Sequence, residues 1–214
     1  CRQKLELMLA NARYMRDLVE NTLTLSSINA GSLELQVERV EIGPLVTDVL
    51  GSFDSQLAAA DIQATANVPN GLAVRGDRLH VRGVLENLLS NSLKYMDGPG
   101  QVRVTAWADG PWGWVAVSDT GMGLTPEHLS RVFDEFFKAD ESRHDRSSTG
   151  LGLSICRQVV SRHGGTIEAA SPGPGQGSTF RFSLPLATEA DAPPPPDAEP
   201  PAERADAPSL APAH

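Results

Sequence analysis

Cysteine is scarce in this 214-residue chain: there are two, Cys1 and Cys156. That is too few for a disulfide framework, and they lack the paired spacing of a zinc site. Cys156 reads as a quiet packing residue on its helix, in keeping with a reducing compartment. Long apolar runs are missing too. None approaches the ~20 residues that cross a bilayer, and no signal peptide is visible. Residue 1 is Cys rather than Met, so the chain is expected to be a piece of a longer protein, and the missing membrane segment describes this piece alone. Positive charge is in deficit. A net charge of −9 argues against nonspecific binding to nucleic acid. Much of it sits in residues 187–214, where Glu189, Asp191, Asp197, Glu199, Glu203 and Asp206 face a single base, Arg204. Residues 190–214 also hold half of the 16 prolines and no aromatic, so this tail is expected to be a linker or disordered.

What is present suffices for one good-sized domain, with 40% hydrophobic residues. Residues 3–29 read as one amphipathic helix. Leu5, Met8, Leu9, Ala12, Met15, Leu18, Val19, Thr22 and Leu23 recur at three- and four-residue steps, and Asn29, Ala30 and Gly31 end the run. At 1.5 Å per residue it would be about 40 Å long. A lone helix of that length cannot bury its stripe, so a coiled coil or helical bundle is the natural solution. Beyond Gly31 the period changes. The run SLELQVERV alternates like a strand, Pro44 opens a helix to about Ala60, and short strands follow near 63–68 and 72–75. A helix over 78–96 precedes a strand pair, 101–108 and 112–118, joined by Asp109-Gly110-Pro111. Residues 125–137 read as a helix with Thr125 as N-cap before Pro126. Residues 138–149 are polar and aperiodic, a loop. A helix from Gly150 and strands at 166–170 and 179–184 complete the pattern. Strands and helices mix without strict alternation, which favours an α+β sandwich over a doubly wound sheet.

The stretch SSTGLGLSICRQ, residues 147–158, has glycines where a chain enters a helix but lacks the GK[ST] ending of a phosphate-binding loop. Another source of positive charge is needed if it holds phosphate. The helix over 78–96 offers one. Val81, Val84, Leu85, Leu88, Ser92 and Met96 make a core side, while Asn87, Asn91 and Lys94 align on the other. Two carboxamide oxygens one turn apart can hold a hard cation such as Mg²⁺ and leave room for phosphates and water. A solvated helix face would display the same residues. In VSDTGMGL, Asp119 ends a strand, where a carboxylate can accept the exocyclic amine of adenine, and Gly121 and Gly123 let backbone approach a ligand. An ordinary Asp-Gly turn would look alike. Phe133, Phe136 and Phe137 can anchor one end of the polar loop, whose Lys138, Arg143, His144 and Arg146 are well placed for a lid that meets phosphates; a solvated loop with core phenylalanines would look the same. In GPGQGSTF, Gly175, Gly177 and Thr179 enter the last strand as a further candidate for the nucleotide site, and a tight turn with no ligand would explain them equally well.

Taken in order, these pieces resemble the ATP-binding catalytic domain of two-component sensor histidine kinases, within the superfamily of DNA gyrase, Hsp90 and MutL. NLLSNSLKY is similar to the kinase N box, DTGMG to the first glycine box, FDEFFKAD to the phenylalanine box, TGLGLSI to the second glycine box and GQGSTF to the third. Spacing and order agree over roughly residues 32–186. The resemblance implies a Bergerat-type two-layer α/β sandwich binding ATP and Mg²⁺ beneath a flexible lid. It implies Asn91 as main Mg²⁺ ligand with Asn87 assisting, Lys94 and Tyr95 facing phosphate and ribose, and Asp119 recognising adenine. Gly121, Gly123, Gly150 and Gly152 would shape backbone around the nucleotide together with Leu151, Leu153 and Thr179, and Lys138 would meet the γ-phosphate. Asn87, Lys94 and Lys138 would be the residues nearest the chemistry.

In the gyrase-like ATPases a glutamate one turn before the metal-binding asparagine activates water. Here that place holds Asn87, and Glu86 is turned about 100° away, which favours transfer to a protein nucleophile over hydrolysis. The resemblance divides the chain into residues 1–30, the second helix of a dimerisation and phosphoacceptor hairpin; 31–186, the kinase domain; and 187–214, the tail. ENTLTLSSINAGSLELQ carries the first of these. None of His80, His128, His144, His163 and His214 has the context of a phosphoacceptor, and His163, in RHGGTI, is expected to be structural. The implied partners are the acceptor-histidine helix of the parent kinase, a response-regulator receiver domain and, in the parent, a second copy; the implied place is the cytoplasmic part of a parent that is membrane-anchored or soluble. Two departures are small: Ser148 replaces a frequent glycine and Ser92 a usual alanine.

Overall fold

Inward-facing valines and phenylalanines at every second position build a sheet, and helices with one apolar side cover it. The structure is a computed structural model that describes residues 8, 12, 15, 16, 18, 19, 21–26, 34–138, 149–188 and 191. The elements are β1 (Glu38–Glu41), α1 (Ile42–Ala59), β2 (Ile62–Asn67), β3 (Ala73–Gly76), α2 (Arg78–Lys94), β4 (Gly100–Asp109), β5 (Trp112–Asp119), α3 (Pro126–Arg131), α4 (Gly152–Arg162), β6 (Ile167–Ala170) and β7 (Ser178–Pro185). The five-stranded sheet runs β2-β4-β5-β7-β6, while β1 and β3 form a separate antiparallel ribbon. Only β2 and β4 pair in parallel; the remaining neighbours are antiparallel. The expected two-layer α+β sandwich is found.

One side of the sheet presents Val102 and Val104 of β4, Val115 and Val117 of β5, and Phe180, Phe182 and Leu184 of β7, all buried. Against them lie Ile42, Leu45, Val46 and Val49 of α1, Val81, Val84, Leu85, Leu88 and Leu89 of α2, and Val159 and Val160 of α4. Each fully buried aliphatic side chain contributes roughly 1.5–3 kcal/mol. On the opposite side Trp107 and Trp114 stack with centroids 6.0 Å apart, and Arg181 lies 5.3 Å over the second ring. Cys156 is buried, and burial pushes its thiol up to about 12, so it is unreactive, as expected.

Several boundaries differ from the pattern reading. Within the described part of the alternating run SLELQVERV, strand is confined to β1, and α1 begins at Ile42, ahead of Pro44. The helix expected over 125–137 stops at Arg131. Thr125 caps it as expected, accepting a hydrogen bond from the His128 amide at 3.2 Å. Beyond Arg131, Phe133 turns inward against Phe180, and the Phe136 amide donates to the Gly150 carbonyl at 2.9 Å rather than to the preceding helical turn. Phe136 takes φ 63° and stays largely exposed. Described residues 8, 12, 15, 16, 18, 19 and 21–26 are all helical, in line with the long N-terminal helix. The proposed lid residues Arg143, His144 and Arg146, and the tail beyond Asp191, lie outside the described residues. Among those described, no helix is long and apolar enough to cross a membrane.

A hydrogen-bonded hub ties the helix ends together away from the glycine boxes. Asp77 caps α2, its Oδ1 accepting from the Leu79 and His80 amides at 3.0 and 3.2 Å, and its Oδ2 accepts from the Gln36 amide at 3.0 Å. The Asp77 amide donates to His163 Nε2 at 2.9 Å, and His163 Nδ1 lies 2.8 Å from the Val159 carbonyl. His163 is thus structural, as its sequence context suggested. Burial of Asp77 acts to raise its carboxyl, but the hydrogen bonds outweigh it and hold the carboxyl below its usual value of 3.8. A depressed folded-state value gives stability that is present above the unfolded value and lost as pH falls through the folded one. Asp77→Ala is therefore expected to cost about 1–2 kcal/mol in urea unfolding near pH 7. The gap from wild type should narrow as pH falls below about 4.

Candidate functional site

The wet face of α2 forms one wall of a cleft of about 970 Å³. Asn87, Asn91 and Lys94 line it together with Tyr95 just past the helix end. Their positions follow from the apolar side: once Val84, Leu85 and Leu88 turn to the core, residues 87, 91 and 94 must turn to the cleft. The end of β5 brings in Asp119, the first glycine box and the residue after it add Met122, Gly123 and Leu124, and the second glycine box leading into α4 contributes Gly150, Gly152 and Leu153. The structure therefore gathers most of the residues chosen from sequence. It does not gather all. Thr179 lies on the other face of β7, its Oγ1 2.9 Å from Ser118 Oγ, and Ser178 and Phe180 line the cleft instead. Leu151 is 1% exposed and belongs to the core, Gly121 is buried, and Lys138 is half-buried outside the lining.

Asp119 is held by its surroundings. Oδ1 accepts the amides of Gly121 at 2.9 Å and Ser178 at 3.2 Å, and Oδ2 has Ser92 Oγ at 3.5 Å. Burial pushes its carboxyl above the usual value, against the opposing pull of these three bonds. The glycine boxes are sewn to each other as much as opened toward a ligand. The Gly177 amide donates to the Gly121 carbonyl at 3.0 Å, and the Gly175 amide to the Met122 carbonyl at 2.6 Å. Gly150 has φ 72°, and a side chain there would meet the Phe136 backbone at 2.8 Å, so the phenylalanine box and second glycine box close the base of one loop.

Among the described residues no side chain caps α4 at its N-cap Leu151, whose own amide donates to Thr149 Oγ1 at 3.3 Å. The first residues of α4 line the cleft, so amide N–H groups and the positive helix end are available there. Gly152 packs on the Asn87 carboxamide so closely that a β-carbon would collide with both its oxygen and nitrogen. Lys94 Nζ lies 4.8 Å over the Tyr95 ring. Glu86 also reaches the lining, but its Oε1 takes a 2.7 Å bond from Arg82 Nε.

Sequence reasoning missed several lining residues. His128 and Phe137 come from the α3 region, edge to face with centroids 5.9 Å apart. Arg16 and Asn21 come from the N-terminal helix, where Asn21 Nδ2 donates to Thr149 Oγ1 at 3.3 Å. Nothing in local pattern signals a contact 128 residues apart. Among the described residues no group of three or more His, Cys, Asp or Glu side chains could hold a metal. The donor set on α2 is of another kind, two neutral carboxamide oxygens, and suits a hard cation that arrives with phosphate ligands.

Comparisons with known proteins bear on the family and the fold. Residues 76–188 match the family described as "Histidine kinase-, DNA gyrase B-, and HSP90-like ATPase". The circadian input-output histidine kinase CikA of Synechococcus elongatus is 32% identical over 165 residues, 75% of this chain and 22% of that protein. The phosphate regulon sensor protein PhoR of Pseudomonas aeruginosa is 30% identical over 171 residues, 79% of this chain and 39% of that protein. Full-length ShkA, solved in complex with AMPPNP, superposes with a TM-score of 0.76 at 27% identity, over 87% of this chain and 39% of that one. This chain thus spans well under half the length of these relatives. The fold and cleft are those of an ATP-binding domain, and the chain belongs to the histidine kinase-, DNA gyrase B- and HSP90-like ATPase family. Within it, the chain resembles the sensor histidine kinases.

Proposed function

We propose that this chain is the ATP-binding core of a two-component sensor histidine kinase, passing the γ-phosphoryl group of ATP to a histidine on another segment for relay to a response regulator. The observation that carries the reading is the α2 wall of the cleft, where Asn87 and Asn91 stand one turn apart and the position that would hold a water-activating glutamate holds an amide. In this reading Asn91, assisted by Asn87, holds Mg²⁺, which when bound supplies charge neutralisation at the phosphates. Lys94 faces phosphate, Tyr95 faces ribose, the uncapped start of α4 receives phosphate oxygens, and Asp119 accepts the exocyclic amine of adenine. Transfer then depends on positioning and neutralised charge rather than on a base for water.

Two further observations support transfer to a histidine elsewhere. The ring nitrogens of His163 are engaged within the fold, His80 lies beside Asp77, and His128 packs on Phe137. On the N-terminal helix, Met8, Met15, Val19 and Leu23 are each more than half exposed, as expected of one helix of a hairpin that meets further helices. We place the domain in the cytoplasmic part of its parent, where ATP is available, and in a dimer there.

The test is to supply ATP, Mg²⁺ and a separate helical hairpin bearing a histidine followed by an acid. The hairpin is expected to gain acid-labile phosphate, while phosphate release without it stays near background. Steady release without an acceptor would favour a hydrolysing ATPase. Nucleotide binding with neither outcome would favour a scaffold.

A further inference from the structure

Ser92 follows Asn91 on α2 but points the other way, 2% exposed and behind Asp119 rather than in the cleft lining. Its hydroxyl has one proton and two acceptors in reach, the Leu88 carbonyl at 3.2 Å and Asp119 Oδ2 at 3.5 Å. Asp119 Oδ1 is already occupied by two backbone amides, so a proton added to this carboxyl has to go to Oδ2. Oδ2 is also the oxygen left to meet a base. As a bare oxygen it accepts from a 6-amino group; as O–H it donates, and a 6-oxo group becomes the matching partner.

We propose that Ser92 is a positioning residue for base recognition: donating to Asp119 Oδ2 from the core side, it keeps that oxygen free of a proton and so enforces preference for a 6-aminopurine over a 6-oxopurine nucleotide. The inference rests on Asp119 being the adenine contact. Burial pulls Asp119 toward its protonated form, and no charged side chain is among the groups acting on it. The surrounding elements contribute the Gly121 amide from the glycine box, the Ser178 amide from β7 and the Ser92 hydroxyl from α2. The other titratable or charged groups lining the cleft are Glu86, Lys94 and Tyr95 from α2 and its end, His128 from α3 and Arg16 from the N-terminal helix, and none of them is among the groups acting on Asp119. Among the described residues Ser92 is thus the side-chain donor opposing protonation. An alanine here would leave burial with less opposition.

The experiment measures ATP and inosine triphosphate affinity of the whole chain by calorimetry with Mg²⁺, from pH 4 to 8, for wild type, Ser92→Ala and Asp119→Asn. Ser92→Ala should weaken ATP about three- to tenfold toward the acidic end. It should leave inosine triphosphate unchanged or tighter, and the midpoint of the ATP pH dependence should move upward. Equal losses for both nucleotides, or an unmoved midpoint, would mean that Ser92 only packs, and would overturn the inference. Asp119→Asn separates the two levels of the argument. An altered ATP-to-inosine ratio in that variant, with Ser92→Ala silent, defeats the role of Ser92 alone. An unaltered ratio in Asp119→Asn defeats the adenine contact itself and the inference with it.

Discussion

Asn91→Ala is expected to remove Mg²⁺-dependent nucleotide binding while leaving the domain folded. Asn91 is half-buried on the cleft side of α2, and its helix is anchored by Val84, Leu85, Leu88 and Leu89 on the far side. Truncation to alanine takes nothing from that core, and alanine is the better helix former by a few tenths of a kcal/mol, so the melting temperature should hold or rise slightly. The loss falls on the ligand. Where a cation is shared between two neutral oxygens and the phosphates, the described residues offer no acidic cluster to take over, and Glu86, beside Asn87 in the lining, is tied to Arg82. Calorimetry with and without Mg²⁺ should show the two affinities converging, and phosphoryl transfer to a supplied hairpin should fall by about 100-fold or more. Mg²⁺-enhanced affinity equal to wild type would remove Asn91 from the role.

Much of the site was legible because helix periodicity is self-checking. Ser92 and the apolar residues of 78–96 point one way only if Asn87, Asn91 and Lys94 point the other, and both halves of that pattern were visible. The same logic, applied to β7, would have corrected Thr179. Phe180, Phe182 and Leu184 are the inward set, so strand alternation sends Thr179 outward and Ser178 toward the cleft. Leu151 was drawn in by its place between two glycines, yet its apolar side chain found the core. The short α3 was not legible from its own residues. FDEFF continues a helical period, and what ends the helix is the Gly150 carbonyl, brought from a distant segment to the Phe136 amide. Tertiary partners of this kind, like Asn21 with Thr149, leave no trace in local pattern.

The glycines teach a related point. Their presence in three boxes suggested room for a ligand, but much of that room is taken by the protein itself, box against box and α4 against α2. Sequence gives the small residue without saying what approaches it.

Gly152→Ala is the variant in which this distinction has its largest effect. In isolation the change should help a little: alanine is favoured over glycine by roughly 0.5–1 kcal/mol inside a helix, and by less at Gly152, the first residue of α4. The new β-carbon, however, would collide with the Asn87 carboxamide, which is the free end of a side chain and can rotate away. The backbone need not move, so the helix gain and the lost packing nearly offset, and stability by urea unfolding should change by less than about 1 kcal/mol. The displaced group is one of the two amides proposed to hold Mg²⁺, at the point where α4's open amides meet the cleft. A misplacement of about 1 Å at such a point typically costs on the order of 100-fold in rate. Phosphoryl transfer should therefore fall by about 10- to 100-fold with the fold intact, and most of the loss should be absent when Asn87 is already alanine. Full transfer by Gly152→Ala would show that Asn87 can leave its seat without consequence, and the second amide would have no part in the site.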